Sequence, residues 1–236
     1  MQLHPIYYVI GDIHGEFDRL KQLHSDISDY HKTWFNRRRK IIIHLGDYVD
    51  RGLNSFEVVE WIMKKEQNSS INETIINLKG NHEEMMCKAC KSFQSPDFLH
   101  WMKNGGRETL ESYFKHGYDK PPKAHLDWMS ALPTYFQDID NKLICVHAGL
   151  NPNTFPNDGE IYHLWTRSDD FLDVEKWINP ALEGMTVIHG HTVTENFSPE
   201  ISINRQRINV DTGACYGGDL TSAVYKNGHV IDFLST

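Results

Sequence analysis

Five short clusters of metal-competent side chains recur along the chain: Gly11-Asp12-Ile13-His14-Gly15, Gly46-Asp47-Tyr48-Val49-Asp50-Arg51-Gly52, Gly80-Asn81-His82-Glu83, Val146-His147-Ala148-Gly149 and His189-Gly190-His191-Thr192. Their donors are carboxylate and amide oxygens and imidazole nitrogens, a set that suits Mn, Fe or Zn. The lack of thiolates among them argues against a closed structural zinc site. Asp12 and His14, one residue apart on an extended segment, point to the same side. One aspartate shared by two cations would hold them about 3.5–4 Å apart, a separation that suits in-line displacement at phosphorus. The flanking glycines let the backbone turn sharply and approach a ligand closely.

The elements that must position these clusters are strands. Ile6–Ile10, 41–45 and 74–78 are short β-favouring apolar runs, each ending in one of the first three clusters. Between them, 16–27 places Phe17, Leu20, Leu23, His24 and Ile27 at helical spacing, and 56–65 reads as a second amphipathic helix. Strand, helix, strand, helix, strand predicts a parallel sheet flanked by helices, with ligands bound outside the carboxyl ends of the strands. Residues 83–129 read as helical and polar, interrupted at Asn104-Gly105-Gly106 and Pro121-Pro122. Strand signals return at 135–139, Leu143–Val146, 186–188, 207–210, 221–225 and 230–233, with turns at Asp140-Asn141 and Asn227-Gly228. The expected fold class is α/β (α+β by some schemes): a β-sandwich of two facing sheets flanked by helices. Residues 1–236 are expected to form a single domain.

Composition sets the outer limits. The chain has 236 residues, 39% hydrophobic and 24% charged, a globular balance long enough to bury a core without staples. Its 32 acidic residues against 24 basic ones give −8, which disfavours a nucleic-acid-binding surface. Cys87, Cys90, Cys145 and Cys215 show no disulfide-framework spacing. Met1-Gln2-Leu3-His4-Pro5 lacks the basic and apolar stretches of a signal peptide, and no apolar run approaches the roughly 20 residues that span a bilayer. A cytoplasmic monomer without membrane or nucleic-acid partner is the expectation.

In this order, GDIHG, GDYVDRG, GNHE, HAG and GHT resemble the phosphoprotein phosphatase family, the metal-dependent serine/threonine phosphatases among the calcineurin-like metallophosphoesterases. The small bacterial and phage-type members are similar in length. The resemblance implies two divalent metal ions, Mn being expected and Fe, Zn or Mg the alternatives. It assigns Asp12, His14 and Asp47 to the first, with Asp47 bridging to a second held also by Asn81, His147 and His191. A hydroxide between the metals would attack phosphorus directly, its pKa lowered and the phosphoryl charge neutralised by the cations. A serine alkoxide is a poor leaving group and needs a general acid. His82 matches the family's acid and Asp50 the carboxylate that orients it. Arg51 matches a phosphate-binding arginine, and Arg167 in Leu164-Trp165-Thr166-Arg167 is similar to a second; a guanidinium fork fits phosphate oxygens.

Two details place the sequence within that wider class. Val193 stands where many related metallophosphoesterases carry a second metal-binding histidine, and Asp50-Arg51-Gly52 is intact where diadenosine tetraphosphatases usually alter it. The implied function is a serine/threonine protein phosphatase acting on phosphorylated protein or peptide. The alternative is hydrolysis of a nucleotide anhydride such as a diadenosine polyphosphate.

Other features read more plainly. His189, within a β-run, is expected to be packed or to support the site from behind. The lone Cys87-x-x-Cys90 reads as structural, and Arg37-Arg38-Arg39-Lys40 as a solvated face that guards the strand it precedes. Residues 101–107 read as a loop, with a place at the cleft mouth as the sharper alternative.

Overall fold

The computed structural model describes residues 3–236. Met1 and Gln2, with which the N-terminal and single-domain expectations begin, lie outside the described residues. In the first sheet β1 (Ile6–Ile10) pairs in parallel with β2 (Lys40–His44), and β2 with β3 (Glu73–Asn77). The second sheet is built on β4 (Tyr135–Asp138), β5 (Leu143–Val146), β6 (Thr186–His189), β7 (Glu200–Ile201) and β8 (Arg207–Asn209), in the order β4-β5-β6-β8-β7. The chain then returns through β9 (Thr221–Lys226) and β10 (His229–Ser235), completing the first sheet as β10-β9-β1-β2-β3. Both sheets are mixed: β5, β6 and β8 run parallel, while β4, β7, β9 and β10 are added antiparallel.

Strand alternation divides the core into layers. Tyr7 and Val9 of β1 face Cys145, Ile188 and Ile208 across the sandwich, while Ile6, Tyr8 and Ile10 face the helices. β1 is therefore covered on both sides, which is why it reads as an unbroken apolar run rather than an alternation. A third cluster, with Ile144, Val146, Phe155 and Phe171, covers the outer face of the second sheet.

The helices are α1 (Phe17–Phe35), α2 (Ser55–Gln67), α3 (Asn81–Ala89), α4 (Pro96–Trp101), α5 (Arg107–Lys115), α6 (Lys123–Ala131), α7 (Glu160–Trp165) and α8 (Asp169–Leu172). α1 runs past the expected end at residue 27. Its last turns pack Tyr30 and Phe35 against the core and are anchored by His31, whose Nδ1 meets the Tyr8 hydroxyl at 3.1 Å. The Asn104-Gly105-Gly106 interruption is not an open loop. Met102–Gly106 forms a wide, kinked turn that carries α4 directly into α5. Gly105 sits at φ 101, where a side chain would be strained, and its carbonyl accepts the Arg51 N–H at 3.2 Å. Strand β7 and helices α7 and α8 have no counterpart in the expectation, being too short to carry a periodic signal. Among the described residues no helix is long and apolar enough to cross a membrane.

Candidate metal centre

Parallel pairing sets the loops side by side. Ile10, His44 and Asn77 are register partners across β1, β2 and β3, so the segments that follow them emerge level with one another. Asp12 and His14 follow β1, Asp47 follows β2, and Asn81 and His82 open α3 after β3. The N–H groups of Ile13 and His14 donate to the Asp47 carbonyl at 3.1 and 2.7 Å, binding the first two loops together. In the second sheet Cys145 pairs with Ile188, and the Gly190 N–H donates to the His147 carbonyl at 2.8 Å, bringing His147 beside His191.

The backbone is strained where these side chains are presented. His14, Asp47, Asp50, Arg51 and His191 have φ of 44°, 51°, 73°, 68° and 69°, in the left-handed region that non-glycine residues avoid. Such positions cost on the order of 1–3 kcal/mol each and persist where the surroundings over-determine them.

Six buried donors converge: Asp12, His14, Asp47, Asn81, His147 and His191. Asp47 belongs to two sets of three whose donor atoms lie within 4.8 Å of one another, His14–Asp47–His82 and Asp47–His147–His191. His14 Nε2 is 3.4 Å from Asp47 Oδ2, and His147 Nε2 is 3.4 Å from Asp47 Oδ1. The first set contains His82 where Asp12 was expected. Asp12 lies beside the second set, its carboxylate accepting the His191 N–H at 3.1 Å.

The donor chemistry fits cations. His14 Nδ1 donates to the Val49 carbonyl at 2.8 Å and His147 Nδ1 to the Leu45 carbonyl at 3.1 Å, so each ring offers an Nε2 lone pair to the cluster. Asn81 Oδ1 lies 2.9 Å from His147 Nε2 and 3.0 Å from His191 Nδ1. An oxygen facing the His147 lone pair is an arrangement that a cation relieves. His191 Nε2 is buried and has no hydrogen-bond partner. Burial, with neighbouring cationic groups, holds the His14 and His191 imidazoles well below the usual range and His147 down to about 3. They are therefore neutral, as ligands must be. Burial pushes the Asp12 and Asp47 carboxyls well up, helped by Asp211 beside the first and Glu83 beside the second.

Beside this cluster, His82 Nδ1 meets Asp50 Oδ2 at 2.7 Å, and His82 Nε2 faces Asp47 Oδ2 at 3.9 Å. Asp50 is clamped by Trp101 Nε1 at 2.9 Å and by the Thr109 hydroxyl at 2.7 Å. Burial pushes its carboxyl up to about 8 against the pull of those donors. Arg51 is half-buried; its NH1 donates to His14 Nε2 at 2.6 Å and its guanidinium lies 5.4 Å from the Tyr216 ring centre. Exposed Arg167 donates to the Thr192 hydroxyl at 3.1 Å and, at 3.4 Å, to the His191 carbonyl, which places it at the rim. All ten expected residues thus meet at one end of the sandwich.

His189 stays out of the cluster. Its Nδ1 lies 3.1 Å from the Gly190 carbonyl oxygen, and its Nε2 accepts from Arg207 at 3.0 Å. The four cysteines are free. Four supporting residues hold the site in ways the sequence reading did not assign, Trp101 having been offered only a place at the cleft mouth. Glu83 accepts the N–H groups of Asp47, Tyr48 and Gly80, each at 2.8 Å. Trp101 and Thr109 hold Asp50 from an unrelated stretch of chain, which no local motif signals. Asp211 carried a usable signal, since Asp-Thr-Gly follows a strand as the other clusters do.

A model of the calcineurin-like phosphoesterase family matches residues 7–211. The chain is 28% identical over 207 residues to the serine/threonine-protein phosphatase 6 catalytic subunit of Caenorhabditis elegans, covering 80% of this chain and 53% of that one. It is 26% identical over 250 residues to the serine/threonine-protein phosphatase 6 catalytic subunit of Drosophila melanogaster, covering 96% and 74%. The chain thus spans about half the length of the nematode relative. The crystal structure of a protein proposed to be a diadenosine tetraphosphatase superposes with a TM-score of 0.65 at 18% identity, over 100% of this chain and 98% of that one, a likeness of fold. Motifs, sandwich and family match agree: this chain belongs to the calcineurin-like phosphoesterase family.

Proposed function

We propose that the chain is a metal-dependent phosphomonoesterase that removes phosphate from serine or threonine in proteins. The observation that carries this reading is the His82–Asp50 pair, joined at 2.7 Å, with His82 Nε2 turned toward the shared Asp47. A phosphoserine ester needs its leaving oxygen protonated, and a histidine held by a carboxylate at the edge of the cluster is the group for that task. The match to protein phosphatase catalytic subunits supports the same substrate class.

Asp12, His14, Asp47, Asn81, His147 and His191 would hold two divalent cations, with Asp47 reaching both. Bound there, the cations would supply a water of lowered pKa and neutralise charge on the phosphoryl oxygens. The chain's own side chains do the rest. Asp50 accepts from His82 Nδ1, which fixes the ring's tautomer and leaves Nε2 facing the cluster. Arg51, bonded to His14, and Arg167, bonded to the His191 carbonyl, present guanidinium groups to phosphate oxygens. One nitrogen cannot serve both Arg51 and a cation, so cation binding requires Arg51 to leave His14 Nε2, which frees its donors for phosphate.

The fold likeness to a protein proposed to be a diadenosine tetraphosphatase keeps one rival reading, hydrolysis of a nucleotide anhydride. Parallel assay of a phosphoserine peptide and diadenosine tetraphosphate with Mn-loaded protein decides between them. Higher kcat/KM on the peptide is expected; higher kcat/KM on the dinucleotide overturns the proposal.

A further inference from the structure

Asp211 is a buried carboxylate, 4% exposed, that none of the family motifs quoted above contains. It follows β8 and lies beside Asp12, the carboxylate of Asp12 and the Cβ of Asp211 both bordering Gly190. The fit around the pair is tight: a Cβ on Gly190 would lie 2.2 Å from Asp12 Oδ1 and 3.7 Å from the Asp211 Cβ. Backbone bonds leave Asp211 no freedom to turn away. Its Oδ1 accepts the Gly213 N–H at 3.1 Å, its N–H donates to Asn209 Oδ1 at 3.0 Å, and its carbonyl accepts the Thr194 N–H at 3.0 Å. That last bond ties it to the loop carrying His191, whose buried Nε2 is unpartnered.

Two buried carboxylates side by side, with one backbone donor to Asp211 and one to Asp12, are an unfavourable pair unless a cation lies beside them. A brace for Asp12 needs only a hydrogen-bonding group, and a neutral amide would serve at lower cost. We propose that Asp211 is a positioning residue of the cation site, whose negative charge orients Asp12 and strengthens cation binding on the Asp12 side of the cluster. This rests on the reading of the six donors as a cation site, and is independent of which phosphate ester is hydrolysed.

Calorimetric titration of metal-free protein with Mn2+ tests it. Asp211→Asn keeps the shape and the acceptor for Gly213 but removes the charge. One binding step is expected to weaken about 10- to 100-fold, the range for partners that orient metal ligands. The metal-free variant is expected to unfold at a temperature no lower than the parent, because a buried charge has been removed. Unchanged Mn2+ affinity in Asp211→Asn overturns the inference while leaving the site reading intact; no Mn2+ binding by the parent overturns both. If Asp211→Asn does not fold, Asp211→Glu and Asp211→Gln make the same comparison at equal size. Tighter binding by the glutamate variant is expected, and equal binding overturns the inference.

Discussion

At the scale of single residues, the proposed chemistry divides between groups that hold cations and one that moves a proton. His82 is within reach of Asp47 yet bonded to Asp50, and its pKa is held well below the usual range by burial and by Arg51. His82→Asn is expected to keep the Mn content of the parent. On a phosphoserine peptide it should lose about 10²–10⁴ in kcat, the range for a general acid. On an aryl phosphate, whose leaving group needs little protonation, the loss should be much smaller. Equal losses on both substrates would remove His82 from the acid role. Apart from Arg167, which follows α7, the residues at this scale were the most legible in the sequence, because each sits after a strand in a short motif. Trp101 and Thr109 were not, since their roles consist of contacts to Asp50 across 51 and 59 positions of chain, and contact at that separation leaves no local pattern; Asp211 did follow a strand in Asp-Thr-Gly, a signal the reading passed over.

At the scale of elements, the strands of the first sheet were readable as apolar runs, with ends shifted by a residue or so. The α4–α5 junction was not. Glycine pairs ordinarily end helices, but here Gly105 packs against the backbone of Arg51 and the helix continues through a wide turn. That junction delivers Trp101 and Thr109 to Asp50 from its two sides. A second feature of this scale is the buried seam joining α1, β2 and β3. His24 and His44 meet Nε2 to Nε2 at 2.9 Å, and His44 Nδ1 meets Asn77 Oδ1 at 2.7 Å. Burial lowers the His44 pKa to about 4, against the bond to Asn77. The folded state therefore refuses a proton that the unfolded chain, with a pKa near 6.5, accepts. Stability linked to His44 is complete above about pH 6.5 and is lost as pH falls toward about 4, amounting to about 3 kcal/mol over that interval. Denaturant unfolding of metal-free parent and His44→Gln across this range checks it. The parent should lose stability relative to the variant as pH falls; a constant difference would show that His44 is not held neutral.

At the scale of the whole molecule, the site exists only because two sheets meet. Asp12, His14, Asp47 and Asn81 come from the ends of the first sheet, His147 and His191 from the second. Two β-rich halves in the sequence forecast two facing sheets, but not that β9 and β10 would return to flank β1, a non-local pairing across more than 200 residues. Asp47 lies where the two halves meet, and its two oxygens face His14 on one side and His147 on the other. Cations bound there would link the halves, so binding should also stabilise the fold, by about 2.7 kcal/mol at free metal 100-fold above Kd. The measurement that bears most directly on the account is elemental analysis of Mn-loaded parent and Asp47→Asn protein after gel filtration. Two Mn per chain in the parent and neither site filled in the variant is the predicted result; two Mn retained by Asp47→Asn would contradict the shared centre.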